Sequence, residues 1–233
     1  MIRLGLQSLV VVLALLATPA LAQSTKDAYI DIKKSAFKKQ FTHLAVMPVF
    51  AAPALSMPAE MEQLIIAEVL KKLKKSRFTI FPPTDVQGIQ DQFSRLYPQG
   101  LDNDNLGIIL EHTIRELYFR HPVNGLLSIQ VLPVAAPFAK DRAQWAGTTQ
   151  KIKHKGDGLF GAILGTNYGG TVGASAIRIV ISDRQGKPVY NWSGGIEVLM
   201  QRNGKDLEIL PKERLWQDKK RVLKAVKYAL KPI

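Results

Sequence analysis

The sequence predicts a mixed-sheet α/β domain with helices packed on the sheet, and three observations carry that expectation. A nearly continuous apolar run, His43-Leu44-Ala45-Val46-Met47-Pro48-Val49-Phe50, has the character of a strand buried on both faces. An amphipathic helix and a second short strand follow it, which is the pattern of a parallel crossover. The second half then changes to strands joined by turns before a last amphipathic helix closes the chain. The predicted order is β-α-β-α-α-β-β-β-β-α in a single domain.

Residues 23–42 are polar and Lys-rich, a basic lead-in in which Tyr29, Ile32 and Phe37 can dock a short helix. The first strand runs from Leu44 to Phe50, with Pro48 expected near its exit. Ser56-Met57-Pro58 starts a helix, because proline suits the first turn, where its missing N–H has no partner anyway. Met61, Leu64, Ile65, Val69 and Leu73 recur at helical spacing and define its inner face. Lys71, Lys72, Lys74 and Lys75 crowd its last turns, where cations complement the helix dipole. Phe78-Thr79-Ile80-Phe81 is a short strand stopped by Pro82-Pro83. Thr84 is the expected cap of a helix carrying Val86, Ile89, Phe93 and Leu96. Asp102 or Asn103 caps another, with Leu106, Ile109, Leu110, Ile114 and Leu117 on one stripe.

Gly125 to Val134 reads as a strongly apolar strand, with Gln144 to Lys153 as its hairpin partner. From Ala174 to Ser182 the residues alternate, Ile177, Ile179 and Ile181 on one side and Arg178 on the other. Asp183 to Lys187 is a turn, with Gly186 where a positive φ is easy. Val189 to Met200 returns as a strand bent at Gly194-Gly195. A helix from about Lys212 to Leu230 has an inner face of Leu215, Trp216, Val222, Leu223, Val226 and Leu230.

The first 22 residues have the form of a cleavable export signal. Met1-Ile2-Arg3 gives the positive start, Leu4 to Leu16 the apolar core, and Ala20-Leu21-Ala22 the small-x-small cleavage pattern before Gln23. The apolar stretch is shorter than the roughly 20 residues of a spanning helix. The expected location is therefore the periplasm, with the protein peripheral to a membrane if it touches one. The chain has no cysteine, which excludes both lipidation at a mature cysteine and disulfides. Net charge is +13, and removing residues 1–22 takes away only Arg3, leaving +12. Such an excess in an exported protein points to an anionic membrane surface or an acidic envelope protein partner rather than to nucleic acid.

The opening strand-helix-strand, "HLAVMPVF" to "RFTIF", resembles the start of the periplasmic domain of the curli secretion channel (CsgG-like) and of the TolB N-terminal domain. The segment "ASAIRIVISDRQGKPVYNWSG" resembles a second signature of such proteins. Trp145-Ala146-Gly147-Thr148 is similar to a Trp-x-Gly-Thr stretch of small bacterial envelope lipoproteins. The resemblance covers roughly residues 43–200. It implies a non-catalytic envelope role in assembly, transport or activation of a partner. Two departures stand out: the missing lipidation cysteine and a glycine-rich insertion.

That insertion, residues 155–173, has seven glycines in 19 residues, interleaved with Leu159, Phe160, Ile163, Leu164 and Tyr168. Glycine weakens a helix by about 1 kcal/mol per site relative to alanine, so a stable soluble helix is not expected. Flanked by Lys151, Lys153 and Lys155, the segment is a candidate membrane or partner contact. A long β-connection folded over the core and a hairpin completing a homo-oligomer are the alternatives. It lacks the Gly-Lys-Ser/Thr of a nucleotide loop.

The closing helix carries Lys220, Lys224 and Lys227 on its polar side, either as a membrane-surface face or as the solvated side of a docked helix. His112 and Glu116 lie one helical turn apart but have no third ligand nearby in sequence. No Gly-x-Ser-x-Gly, His-Glu-x-x-His or cysteine nucleophile occurs. The sequence thus predicts a non-enzymatic envelope-binding protein needing no cofactor. The alternatives are a subunit of an oligomeric outer-membrane secretion pore using the glycine-rich loop, and a hydrolase with a dispersed active site.

Overall fold

The computed structural model describes residues 29–30, 33–97, 103–153, 169–203 and 206–233. The fold is the mixed-sheet α/β domain that the sequence predicts. In chain order the elements are β1 (Tyr29–Ile30), α1 (Lys34–Gln40), β2 (His43–Ala51), α2 (Ala59–Lys75), β3 (Thr79–Phe81), α3 (Pro83–Ser94) and α4 (Asn103–Arg120). Then come β4 (Gly125–Ala139), β5 (Arg142–Trp145), β6 (Thr148–Lys151), β7 (Gly169–Ser182), β8 (Pro188–Val198), β9 (Met200–Asn203), β10 (Asp206–Ile209) and α5 (Lys219–Ala229). The main sheet runs β1-β8-β7-β4-β2-β3, with β5 and β6 continuing from the end of β4. β2 pairs parallel with β3 and β4, whereas β4, β7, β8 and β1 pair antiparallel.

Two helical layers cover the sheet. On one face α1, α2 and α5 bury Phe37, Ile65, Val69, Leu73, Val222 and Val226 against the sheet's Leu44, Val46, Leu127, Ile177, Ile179 and Ile181. The isoleucine alternation in β7 therefore faces this main core. On the other face α3 and α4 contribute Val86, Ile89 and Leu117 against Ala45 and Leu126. A third cluster, with Ala136, Ala143, Trp145, Ile152, Ala174 and Ala176, fills the far end, where the β5–β6 hairpin folds over the sheet.

Several elements differ from the sequence reading, each for a physical reason. The lead-in is folded into the domain: β1 adds to β8, and Phe37 and Phe41 are buried. Pro48 lies inside β2 rather than at its exit. The pairing with β4 shifts between Val46 and Val49, a bulge that accommodates a residue unable to donate to the ladder. Thr84 does not cap α3. The helix begins at Pro83 after Pro82, and the Thr84 hydroxyl donates to the Asp85 carboxylate. Gln144 to Lys153 is not one strand but most of a hairpin, β5–β6. Its two-residue turn, Ala146-Gly147, has positive φ at both positions, as a primed hairpin turn requires. Gly147 also lies against the Tyr228 ring, where a Cβ would be about 2.0 Å from Cζ.

The expected helix from Lys212 is split. Lys212–Arg214 forms one 3-10 turn, and α5 starts only after Asp218, whose carboxylate accepts the Arg221 N–H. Between them Trp216 has φ +66° and is buried. Its backbone N–H donates to Glu197 Oε1 (2.9 Å) and its indole N–H to the Leu55 carbonyl (2.8 Å). At Gly194-Gly195 the sheet register is irregular as well as closely covered, with Ser175 opposite Glu197 but Ala176 opposite Gly195.

Burial holds the Glu197 carboxyl above its ordinary range, against the lowering effects of the Trp216 N–H and the nearby Arg221 and Lys153 charges. A raised carboxyl pKa means the folded state binds the proton more tightly than the unfolded one. Its contribution to stability therefore falls as pH rises from the ordinary glutamate range to the raised value. Glu197→Gln, which keeps an acceptor for Trp216, is expected to melt higher than the wild type at neutral pH. The two should converge near about pH 4. Thermal unfolding across pH checks this; a variant less stable at neutral pH would show that the ionised carboxylate is needed.

Candidate functional site

α2 and α5 lie side by side, and two ion pairs fix how. Lys219 bonds Glu60, and Lys227 Nζ lies 3.8 Å from Glu68 Oε1. Both pairs join residues the same distance apart in sequence, so the helices run parallel and their C-terminal ends meet at one end of the domain. α1 sits over that end. The Phe37 ring packs against Phe78, just beyond α2, at 6.2 Å, and against Tyr190 at 6.1 Å. The Tyr190 hydroxyl in turn donates to the carbonyl of Ala229, the last residue of α5.

Three lysine-rich stretches distant in sequence thereby converge. Lys33, Lys38 and Lys39 come from α1 and its start, Lys71, Lys72, Lys74, Lys75 and Arg77 from the end of α2, and Lys227 and Lys231 from the end of α5. All but the half-buried Lys72 are exposed. The acids on these helices, Glu60, Glu62 and Asp218, lie toward the opposite end, and Glu68 is engaged by Lys227. Part of the cost of collecting like charges is offset locally, because two helix C-termini carry partial negative charge there.

Of the sequence-predicted contact residues, Lys220, Lys224 and Lys227 do share one outer stripe of α5, and all three are exposed. Lys227 and its neighbour Lys231 belong to the basic end. Lys151 and Lys153 do not. The hairpin runs back along α5, from Gly147 beside Tyr228 to Gln150, whose Oε1 accepts from Arg221 at 3.1 Å. Lys151 and Lys153 therefore lie by the start of α5, roughly 15 Å from its other end at 1.5 Å per residue. Lys155, Leu159, Phe160, Ile163, Leu164 and Tyr168 lie outside the described residues. The contribution of α1 and of the end of α2 to one surface was missed in sequence. The signal was present as the lysine clusters, but not the parallel pairing that joins them.

His112 and His121, with Glu116, have structural surroundings. His112 stacks on Phe93 (5.1 Å), Glu116 pairs with Arg120 (3.2 Å), and His121 packs on Phe81 (4.6 Å). Among the described residues no group of three or more His, Cys, Asp or Glu is placed to hold a metal ion. Among them, too, no helix is long and apolar enough to cross a membrane.

A second feature lies on the opposite face of the sheet. β3 pairs with β2 only as far as Ala45, so among the described residues the rest of β2 has no strand on that side, and residues of β2 and α4 line a common space there. Between them is a cavity of about 610 Å³. Leu126, Ser128 and Gln130 of β4, alternating along the strand, and Val180 of β7 form its floor. Ile114 and Tyr118 of α4 form a wall. The Tyr118 hydroxyl donates to the Asp183 carbonyl (3.0 Å), and burial together with the Asp183 charge pushes its pKa up.

No protein-family model matches the chain, and no curated protein matches it. Among solved structures it is similar to the hypothetical protein CT253 from Chlamydia trachomatis, at 12% sequence identity and a TM-score of 0.30. That match covers 67% of this chain and 73% of the other.

Proposed function

We propose that the protein is a non-enzymatic periplasmic envelope protein of the CsgG-like and TolB N-terminal-like class. In this reading it docks through its basic end on an anionic envelope surface, where it assists assembly, transport or activation of a partner. The single observation that carries the reading is the convergence of α1, α2 and α5 into one cationic surface. A solvated helix face needs only scattered lysines. Here three separate stretches bring theirs to one place, and the acids of the same helices lie toward the other end. A surface of this kind suits phosphate-bearing lipid, whose attraction is worth about 1 kcal/mol per cation at the surface and is screened by salt.

The test is co-sedimentation with phosphatidylcholine vesicles with and without phosphatidylglycerol, at low and high salt. The protein is expected to bind only the anionic vesicles and to be released by salt. Changing Lys71, Lys74 and Lys75 together to Gln should weaken binding by about 3 kcal/mol, roughly 150-fold. The pair Lys151→Gln and Lys153→Gln, at the far end, should cost less than about tenfold. Equal losses in the two variants would show a diffuse charge effect, and no anion-dependent binding at all would discard the lipid-surface reading.

A further inference from the structure

Phe119 is 83% exposed, more than any other large apolar side chain among the described residues. A singly exposed aromatic ring is ordinary on a protein surface, so exposure alone assigns it nothing. Its place in the fold is what distinguishes it. Phe119 is the last residue but one of α4, and the short link after it leads through Val123 and Asn124 into β4. β4 starts beside β2, with Gly125 opposite Leu44. Asn124 ties that start to the end of α1. Its Oδ1 accepts the His43 N–H (3.0 Å), and its amide donates to the Gln40 carbonyl (2.9 Å) and the Thr42 hydroxyl (3.1 Å). The C-terminal end of α4 therefore lies at the same end of the sheet as α1 and the gathered lysines, on the opposite sheet face.

The charges on this flank of α4 and on the turn after β7 nearly cancel. Arg115 pairs with Glu111 (2.9 Å) and Arg120 with Glu116 (3.2 Å). The Asp183 carboxylate accepts the backbone N–H groups of Gln185 and Lys187 at 2.9 Å each, and Arg184 donates to the Val123 carbonyl (3.1 Å). This flank thus brings the basic end little further charge, but it does bring a bare ring. The Arg115 and Arg120 side chains are 59% and 76% exposed. Such side chains lay their stems along apolar surface while the guanidinium heads stay with water or phosphate. An aromatic ring among them is the composition of an interfacial membrane anchor.

We infer that Phe119 is an apolar anchor that enters the acyl boundary of an anionic phospholipid bilayer when the basic end docks on it, with Arg115 and Arg120 at the level of the lipid phosphates. The inference rests on the lipid-surface reading of the basic end and adds a second contribution to it. The lysines attract the surface and are screened by salt. The ring is driven by removal of apolar area from water, which salt does not screen. The two contributions are therefore separable by experiment.

The test uses the purified protein and vesicles of phosphatidylcholine with phosphatidylglycerol. Phe119→Ser should bind them about tenfold more weakly than the wild type, with the same dependence on salt because no cation is lost. Ile209→Ser is the control, since Ile209 is 78% exposed but lies on β10, beyond the far end of β8. It should bind as the wild type does. Phe119→Trp should keep wild-type affinity and show fluorescence quenching by lipids brominated on their acyl chains, beyond any seen with the three native tryptophans. Wild-type affinity in Phe119→Ser, an equal loss in Ile209→Ser, or no added quenching in Phe119→Trp would overturn the anchor while leaving the basic end's lipid reading in place. A wild type that ignores anionic vesicles altogether would overturn both.

Discussion

Trp216→Ala is expected to destabilise the protein by about 4 kcal/mol, the scale for deleting a buried tryptophan. Three segments meet on this residue. Its ring belongs to the main core, its indole N–H satisfies the Leu55 carbonyl before α2, and its backbone N–H reaches Glu197 on β8. Truncation removes the ring contacts and leaves the Leu55 carbonyl without its donor, while the backbone bond to Glu197 survives. A companion variant sharpens the test. Trp216 has φ +66°, a left-handed conformation that costs a residue with a Cβ roughly 1–2 kcal/mol and glycine almost nothing. Trp216→Gly loses the same contacts but sheds that strain, so it should be the more stable of the two by about 1 kcal/mol. At an ordinary site the order is reversed. Denaturant unfolding of both variants measures the difference, and an alanine variant more stable than the glycine one would mean the loop relaxes once the ring is gone.

The second large effect is expected at Gly194. A Cβ there would stand 2.1 Å from the carbonyl oxygen of Ala225 and 2.8 Å from its carbonyl carbon. These are backbone atoms of α5, so no rotamer change can make room. Strand β8 and α5 would have to separate, and Gly194→Ala is expected to lose about 3 kcal/mol, the upper part of the range for overpacking. Gly88, inside α3, is the matching control, because a Cβ there meets nothing within 4 Å. Gly88→Ala should stabilise by about 1 kcal/mol through helix propensity alone. The same chemical change thus has opposite signs at the two sites, and a Gly194→Ala protein with wild-type stability would show that α5 is free to shift on the sheet.

The elements most readable in sequence were those whose burial is periodic. Ile177, Ile179 and Ile181 announced β7, and Met61, Ile65, Val69 and Leu73 the inner face of α2, because burial on one side imposes a period that survives any context. What escaped was set by contacts distant in sequence. The break at Trp216 lies in an apolar pattern that continues smoothly, and there the bonds to Leu55 and Glu197, with the Asp218 cap of α5, take the place of helical pairing. Pro48 read as a strand exit because a bulge is invisible until the partner strand is known. The basic end was legible as separate lysine clusters, whereas their union depends on the parallel seating of α2 and α5.

The short flanking strands of the main sheet have a bearing on how the protein behaves at high concentration. β1 contributes two residues and β3 three, and β2 past Ala45 has no partner on its β3 side among the described residues. An open row of backbone donors and acceptors invites another chain to add on, the first step of run-away aggregation. In β2 the bulge between Val46 and Val49 breaks the regular spacing of that row, which a straight incoming strand would need to pair along it. The same irregularity that hides the strand's true end in the sequence thus works as a guard against edge-to-edge pairing in a domain that has no cysteine to crosslink it.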